Sequence, residues 1–97
     1  MVICGAGPIG ITTLLAANAA GAAPIAITDL DKNRLKMAKD LIPRVRTVQV
    51  QKDQDAHGIA DNIKLALGQE AKLAIECTGV EASIHSAIYV RIPVESL

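Results

Sequence analysis

The nine residues VICGAGPIG, Val2 to Gly10, restrict the fold more than any other part of the chain. An apolar triplet, Val2-Ile3-Cys4, runs straight into Gly5-Ala6-Gly7-Pro8-Ile9-Gly10, and a helical pattern begins at once. Strand, glycine turn and helix must therefore succeed one another without a linker. Glycine at the first of these positions permits a tight strand-to-helix turn, and at the third it lets backbone N–H groups come close to a ligand. At the sixth it lets the helix lie against a sheet. Pro8 suits a first helical turn, where its missing N–H costs nothing. A helix that starts this way offers its N-terminal N–H groups and its dipole to an anion such as a diphosphate. The spacing is short enough to arise in any glycine-rich turn, so its meaning rests on the residues downstream of it.

A helix over residues 8–20 comes next, with Ile9, Ile11, Leu14, Leu15 and Ala19 recurring in threes and fours and Gly21 placed to end it. Its small residues Gly10, Ala16, Ala17 and Ala20 are expected to face the sheet. Pro24 opens Ile25-Ala26-Ile27-Thr28-Asp29, too short for a helix and apolar enough for a buried parallel strand. Asp31 then caps a helix to Leu41, with Leu35, Met37, Ala38 and Leu41 turned inward and Pro43 as its stop. Thr47 to Val50 reads as a strand. A polar stretch, Gln51 to Asp55, leads to a helix carrying Ile59, Ile63, Leu65, Ala66 and Leu67 before Gly68. Residues 72–77 hold a fourth strand. Thr78 and Glu81 form a capping box for a helix through Ala82, Ile84, Ala87 and Ile88.

Strands and helices thus alternate four times. That order predicts the α/β class: a truncated Rossmann fold with a parallel sheet of about four strands in the order 3-2-1-4 and helices on both faces. A length of 97 residues allows one small domain. Such a chain buries only roughly 60 to 65% of its unfolded surface. Tyr89 is the single aromatic residue, so the core must be aliphatic.

Charge removes other functions from consideration. Lys plus Arg and Asp plus Glu number 10 each, leaving no field to draw nucleic acid or an anionic membrane. No apolar run reaches the roughly 18 to 20 residues that span a bilayer. Residues 1–20 lack the basic start of a secretory signal. Cys4 and Cys77 are too few for a disulfide framework, so two reduced thiols in a cytoplasmic protein are expected. His57 and His85 stand without Cys, Asp or Glu at ligand spacing, and each reads as a surface or half-buried imidazole. No catalytic residue and no metal ligand is assigned.

Asp29 ends the second strand, where an acid about 20 residues past a glycine loop accepts hydrogen bonds from the adenosine ribose of a dinucleotide. A carboxylate there repels a 2′-phosphate, which favours NAD over NADP. The competing role for Asp29 is to cap the next helix, a task for which Asp31 also qualifies. Arg34 has three readings: lying along the adenine, pairing with Asp31, or standing on a solvated helix face. Ile9 packs either against the ribose or diphosphate or into the core. Thr78 and Gly79 end the fourth strand beside the first, where ligands enter such sheets, and Thr78 also serves as a helix cap. The cofactor-binding set is therefore Gly5, Gly7, Pro8, Ile9, Gly10, Asp29, Arg34, Thr78 and Gly79.

The segments VICGAGPIGITTLLAANAAGAAPIAITDLDKNRL and AIECTGVEASIHSAIY are similar to the cofactor domain of the zinc-containing medium-chain dehydrogenases, in the polyol branch that takes sorbitol, xylitol or L-arabinitol. The resemblance runs from Val2 to Tyr89, and ECTGVEAS is its most specific part. It implies the NAD-binding portion of an enzyme that oxidises a sugar alcohol to a ketose. It also implies that Ile9, Asp29 and Arg34 touch the adenosine side of NAD, that Gly5, Gly7 and Gly10 cradle its diphosphate, and that the zinc ligands sit in another domain. Residues 90–97, VRIPVESL, depart from the family pattern. The expected organisation is a partial dinucleotide-binding domain over 1–89 and a divergent tail over 90–97. That tail would leave the fourth strand with an open edge, suited to edge-strand association or a homo-oligomer. The alternative function is a catalytically inactive nucleotide-binding module or a non-functional truncated fragment.

Overall fold

Val2, Ile3 and Cys4 are all fully buried, which only a strand covered on both faces allows. The computed structural model describes residues 1–69 and 71–78 of the chain. Among them are β1 (Val2–Cys4), α1 (Pro8–Ala19), β2 (Ala26–Asp29), α2 (Lys32–Leu41), β3 (Arg46–Gln49), α3 (Ala56–Leu67) and β4 (Ala74–Glu76). The strands form one parallel sheet in the order β3-β2-β1-β4, as the alternation of elements predicts. In register, Ile3 lies beside Ile27 on one side and Ile75 on the other. The chain steps outward from β1 through β2 to β3, then returns to the far side of β1. This reversal opens a crevice at the carboxyl ends of β1 and β4.

Side chains alternate across the sheet and sort into two cores. Val2, Cys4, Ala26 and Val48 pack under Ile59, Ala60, Ile63 and Leu67 of α3. Ile3, Ile25 and Ile27 pack on the other face under Leu14 of α1 and Leu35 and Ala38 of α2. Helices therefore cover both faces. Cys4 belongs to the first core and Cys77 leans on the second, so the two thiols sit on opposite sides of the sheet although the Cys77 N–H donates to the Cys4 carbonyl at 2.8 Å. Backbone neighbours on adjacent strands cannot form a disulfide through a sheet.

The helix faces need correction. In α1 the buried residues are Gly10 and Leu14, flanked by half-buried Ile11 and Ala17. Ile9 is 71% exposed, and Leu15, Ala16, Ala19 and Ala20 also face outward. A stripe at 10, 14 and 17 is one turn apart at each step, and Ile9, Leu15 and Ala20 fall outside its width. In α2 Leu35 and Ala38 point inward, whereas Met37 and Leu41 are 58% and 48% exposed. In α3 Leu65 is outside at 81%. The third strand starts one residue earlier than its apolar pattern suggests, because Arg46 pairs with Ala26 while its guanidinium caps α3 at the Ala66 and Leu67 carbonyls. Gly21 and Ala22 close α1 with N–H donations to Asn18 and Ala17, the Schellman arrangement, with Gly21 at φ +86°. The expected helix over 82–88, the domain limit at residue 89 and the tail over 90–97 lie outside the described residues.

Candidate functional site

The loop between β1 and α1 is shaped by two glycines and left open at a third. Gly5 sits at φ +112°, a region that favours glycine, and its N–H donates to the Thr28 carbonyl at 2.8 Å. A Cβ there would fall 2.9 Å from Thr78 Cγ2. At Gly10 a Cβ would lie 1.8 Å from the Gly5 carbonyl oxygen, so the helix can cross the loop only with hydrogen in that place. Gly7 is different. Its backbone is extended (φ −73°, ψ −171°), and a Cβ would meet only Arg34 Nη1, at 3.7 Å. Nothing among the described residues requires glycine at position 7, and Gly7 lines the cleft.

Gly7 is also the residue that starts α1, and it brings no side chain to the task. No side chain caps α1, and no acidic residue stands in its first turn. By contrast, Asp31 Oδ1 accepts from the Asn33 and Arg34 N–H groups at the head of α2, at 2.8 and 3.4 Å. Asp55 Oδ1 accepts from the Gly58 N–H at the head of α3, at 2.7 Å. Among the described helices, the first alone has no side-chain cap at its positive end.

Asp29 closes the other side of the loop mouth. Its Oδ2 accepts from the Ala6 N–H at 2.9 Å and its Oδ1 from the Asp31 N–H at 2.9 Å. The two competing roles for the acids are thus divided: Asp31 caps α2, while Asp29 reaches across to the glycine loop. Each oxygen of Asp29 retains acceptor capacity beyond its one N–H.

Gly5, Gly7, Asp29, Arg34 and Thr78 line one cleft of about 360 Å³, within the usual range of about 300–1,000 Å³ for small-molecule sites. Arg34 is exposed, and its Nη1 lies 3.7 Å from where a Cβ on Gly7 would stand. Thr78 donates from its N–H and its hydroxyl to Glu76 Oε1, and its methyl fills the space that a Cβ on Gly5 would enter. Gly10 lies under the loop, and Pro8 and Ile9 stand outside the lining; the expectation of Ile9 in the core is overturned by its exposure. Gly79 and His85 lie outside the described residues, and His57 is exposed.

The far wall was missed from sequence. Gln51, Lys52 and Gln54, in the loop between β3 and α3, complete the cleft. The signal was available in the topology: all strands are parallel, so the polar stretch after β3 had to emerge at the same end of the sheet as the glycine loop. Among the described residues no group of three or more His, Cys, Asp and Glu side chains could hold a metal ion. None of the described helices is long and apolar enough to cross a membrane.

An open parallel sheet whose first strand enters its first helix through a glycine loop, at the point where strand order reverses, is a Rossmann-like α/β fold. No family model matches the chain. It is 52% identical to L-arabinitol 4-dehydrogenase of Penicillium rubens, over 92% of this chain and 26% of that protein. It is 48% identical to the L-arabinitol 4-dehydrogenase of Aspergillus niger, over 91% and 25%, and 44% identical to rat sorbitol dehydrogenase, over 92% and 24%. The chain spans about a quarter of the length of the curated relatives it matches. These homologues are polyol dehydrogenases, the polyol branch of the zinc-containing medium-chain dehydrogenase family of oxidoreductases, and the chain is homologous to about a quarter of one.

Proposed function

We propose that this chain binds NAD through its adenosine diphosphate half and is the NAD-binding portion of a polyol dehydrogenase. The observation that carries the proposal is the bare head of α1 at Gly7, facing Asp29 across one cleft. A diphosphate fits there in kind: the N–H groups of the first turn lack intrahelical acceptors, the helix dipole favours negative charge, and Gly7 keeps the approach free of a Cβ. Arg34, beside Gly7, adds a fixed positive charge at the same place. The ribose hydroxyls of the adenosine would donate to Asp29, whose two oxygens keep lone pairs for them. A 2′-phosphate would meet a carboxylate instead, so NAD is preferred over NADP.

Bound NAD supplies the hydride acceptor that oxidation of a sugar alcohol to a ketose requires. The residues of this chain bind and orient it. Gly5 and Gly10 set the loop, Gly7 admits the diphosphate, Asp29 fixes the ribose, and Thr78 forms the β4 side of the cleft. The substrate class, a sugar alcohol such as sorbitol or L-arabinitol, is carried over from the names of the relatives, and xylitol from the resemblance in sequence. The zinc of that family is expected to be held by residues outside those described, and the 97-residue chain by itself is expected to hold nucleotide without turnover.

Calorimetric titration tests this directly. Saturable heat with NAD, a weaker response with NADP, and loss of both in Asp29→Ala are expected. A flat titration with NAD and with ADP, in a chain that melts cooperatively in urea, overturns the proposal. Oxidation of any of the three polyols by the purified chain, with NAD and zinc added, overturns the expectation of binding without turnover.

A further inference from the structure

We infer that Asp29 has a second task, holding the glycine loop in its diphosphate-binding shape, and that this positioning role is separable from its contact with ribose. The inference rests on the reading that the cleft takes an adenine nucleotide. Its basis is that consecutive residues of β2 hold consecutive residues of the loop. The Thr28 carbonyl accepts from the Gly5 N–H at 2.8 Å, and Asp29 Oδ2 accepts from the Ala6 N–H at 2.9 Å. Ala6 is 3% exposed, so its N–H has little water to turn to if the carboxylate is lost. The other oxygen, Oδ1, accepts from the Asp31 N–H at 2.9 Å and ties the same side chain to the start of α2.

Two backbone donors therefore meet one side chain. A carboxylate satisfies both, because each oxygen accepts; an amide of the same shape has one accepting oxygen and one donating nitrogen, so one N–H must face another donor. This explains why position 29 needs an acid even before any ribose arrives. It also divides the loop's donors. The Ala6 N–H is committed to Asp29, and the diphosphate is left with the groups at the head of α1, among them the N–H of Ile9 and Gly10.

The two tasks predict opposite signs for a ligand that lacks the ribose hydroxyls. If Asp29 served ribose alone, removing its negative charge would leave 2′,3′-dideoxy-ADP binding unchanged or tighter, since a carboxylate near two phosphates repels them. If Asp29 holds the loop, the same change weakens binding.

The test compares ADP and 2′,3′-dideoxy-ADP on the wild-type chain and on Asp29→Asn by calorimetry. The expected result is a loss of about tenfold for the dideoxy ligand, the effect of one buried charge-assisted hydrogen bond, and a larger loss for ADP. Unchanged or tighter dideoxy binding by the folded variant overturns the inference. A second measurement needs no variant: in the free wild-type chain, NMR should detect a scalar coupling through the hydrogen bond from the Ala6 amide nitrogen to the Asp29 carboxyl carbon. That coupling decides the matter if Asp29→Asn fails to fold, and its absence overturns the inference. A wild-type chain that shows the coupling but binds neither nucleotide refutes the proposed function and leaves the loop contact standing.

Discussion

The three helices of the described fold start at the same end of a parallel sheet, and they start in two ways. At α2 and α3 an aspartate, Asp31 or Asp55, takes up first-turn N–H groups with its side chain. At α1 the corresponding residue is Gly7, which offers nothing, and Pro8 comes directly after it. Glycine at an N-cap costs roughly a few tenths of a kcal/mol relative to serine or aspartate, a small concession but one made at this helix and not at the other two. A serine or aspartate would fit at position 7, because a Cβ there meets only the end of the Arg34 side chain. The fold therefore keeps a helix head without a side-chain acceptor at Gly7, in the wall of the cleft. Such a concession to local stability is expected where a ligand supplies the missing acceptors.

The most damaging change to this arrangement is at its base. Gly10→Ala places a methyl 1.8 Å from the Gly5 carbonyl oxygen and 2.8 Å from the Gly5 carbonyl carbon, both backbone atoms. Neither can swing aside as a side-chain tip could. A loss of about 3 kcal/mol or more is expected, well above an ordinary surface substitution. Urea unfolding monitored by circular dichroism would show a large fall in midpoint or no cooperative transition. A midpoint within experimental scatter of wild type would mean that α1 does not cross the loop this closely.

How much of this arrangement the sequence disclosed depended on the kind of residue. Positions governed by backbone geometry were legible: the glycines of the loop, Asp31 as cap, Gly21 as the end of α1, and the strand order 3-2-1-4 that alternation dictates. Positions governed by which side of a helix is inside were not. In α1 apolar and small residues occur on every side, so periodicity did not separate Leu14, which is buried, from Leu15, which is not. In α2 the spacing from Leu35 to Ala38 marked the inner face, but Met37 and Leu41 were apolar without lying on it. The cleft was half legible. Asp29 announced itself by its place at a strand end, whereas Lys52 and Gln54 sit in a polar stretch that looks like any loop until the parallel sheet brings it round.

Capping the bare head artificially sharpens the contrast between α1 and the other helices. Gly7→Ser should raise stability by roughly a few tenths of a kcal/mol, since Gly7 already has the extended backbone of an N-cap and the serine oxygen can accept from the first turn. The same oxygen would occupy the place meant for phosphate, and nucleotide affinity should fall at least tenfold. A variant that is more stable and binds NAD as well as wild type would break the link between the bare head and the ligand.

The reverse experiment removes a cap where no ligand is involved. Asp55→Ala deletes the acceptor for the Gly58 N–H at the head of α3. About 1 kcal/mol of stability should be lost, read as a lower urea midpoint with an unchanged slope. Nucleotide affinity should stay within about twofold at saturating folded fraction, since Asp55 does not line the cleft. Equal losses of affinity in Asp55→Ala and Gly7→Ser would show that general loosening explains both.

The smallest effect concerns the charge beside the bare head. Arg34 is exposed, so its guanidinium acts through a screened field, and its nearest loop position is Gly7. Arg34→Ala should leave the unfolding midpoint unchanged and weaken ADP binding several-fold at low ionic strength. The deficit should shrink toward nothing as salt approaches about 1 M, where the screening length falls to about 3 Å. Adenosine, which has no phosphate, should bind wild type and variant alike. A deficit that persists undiminished in high salt, or that appears equally with adenosine, would put the guanidinium against the base. The head of α1 would then hold the diphosphate with its own N–H groups, unaided by a neighbouring cation.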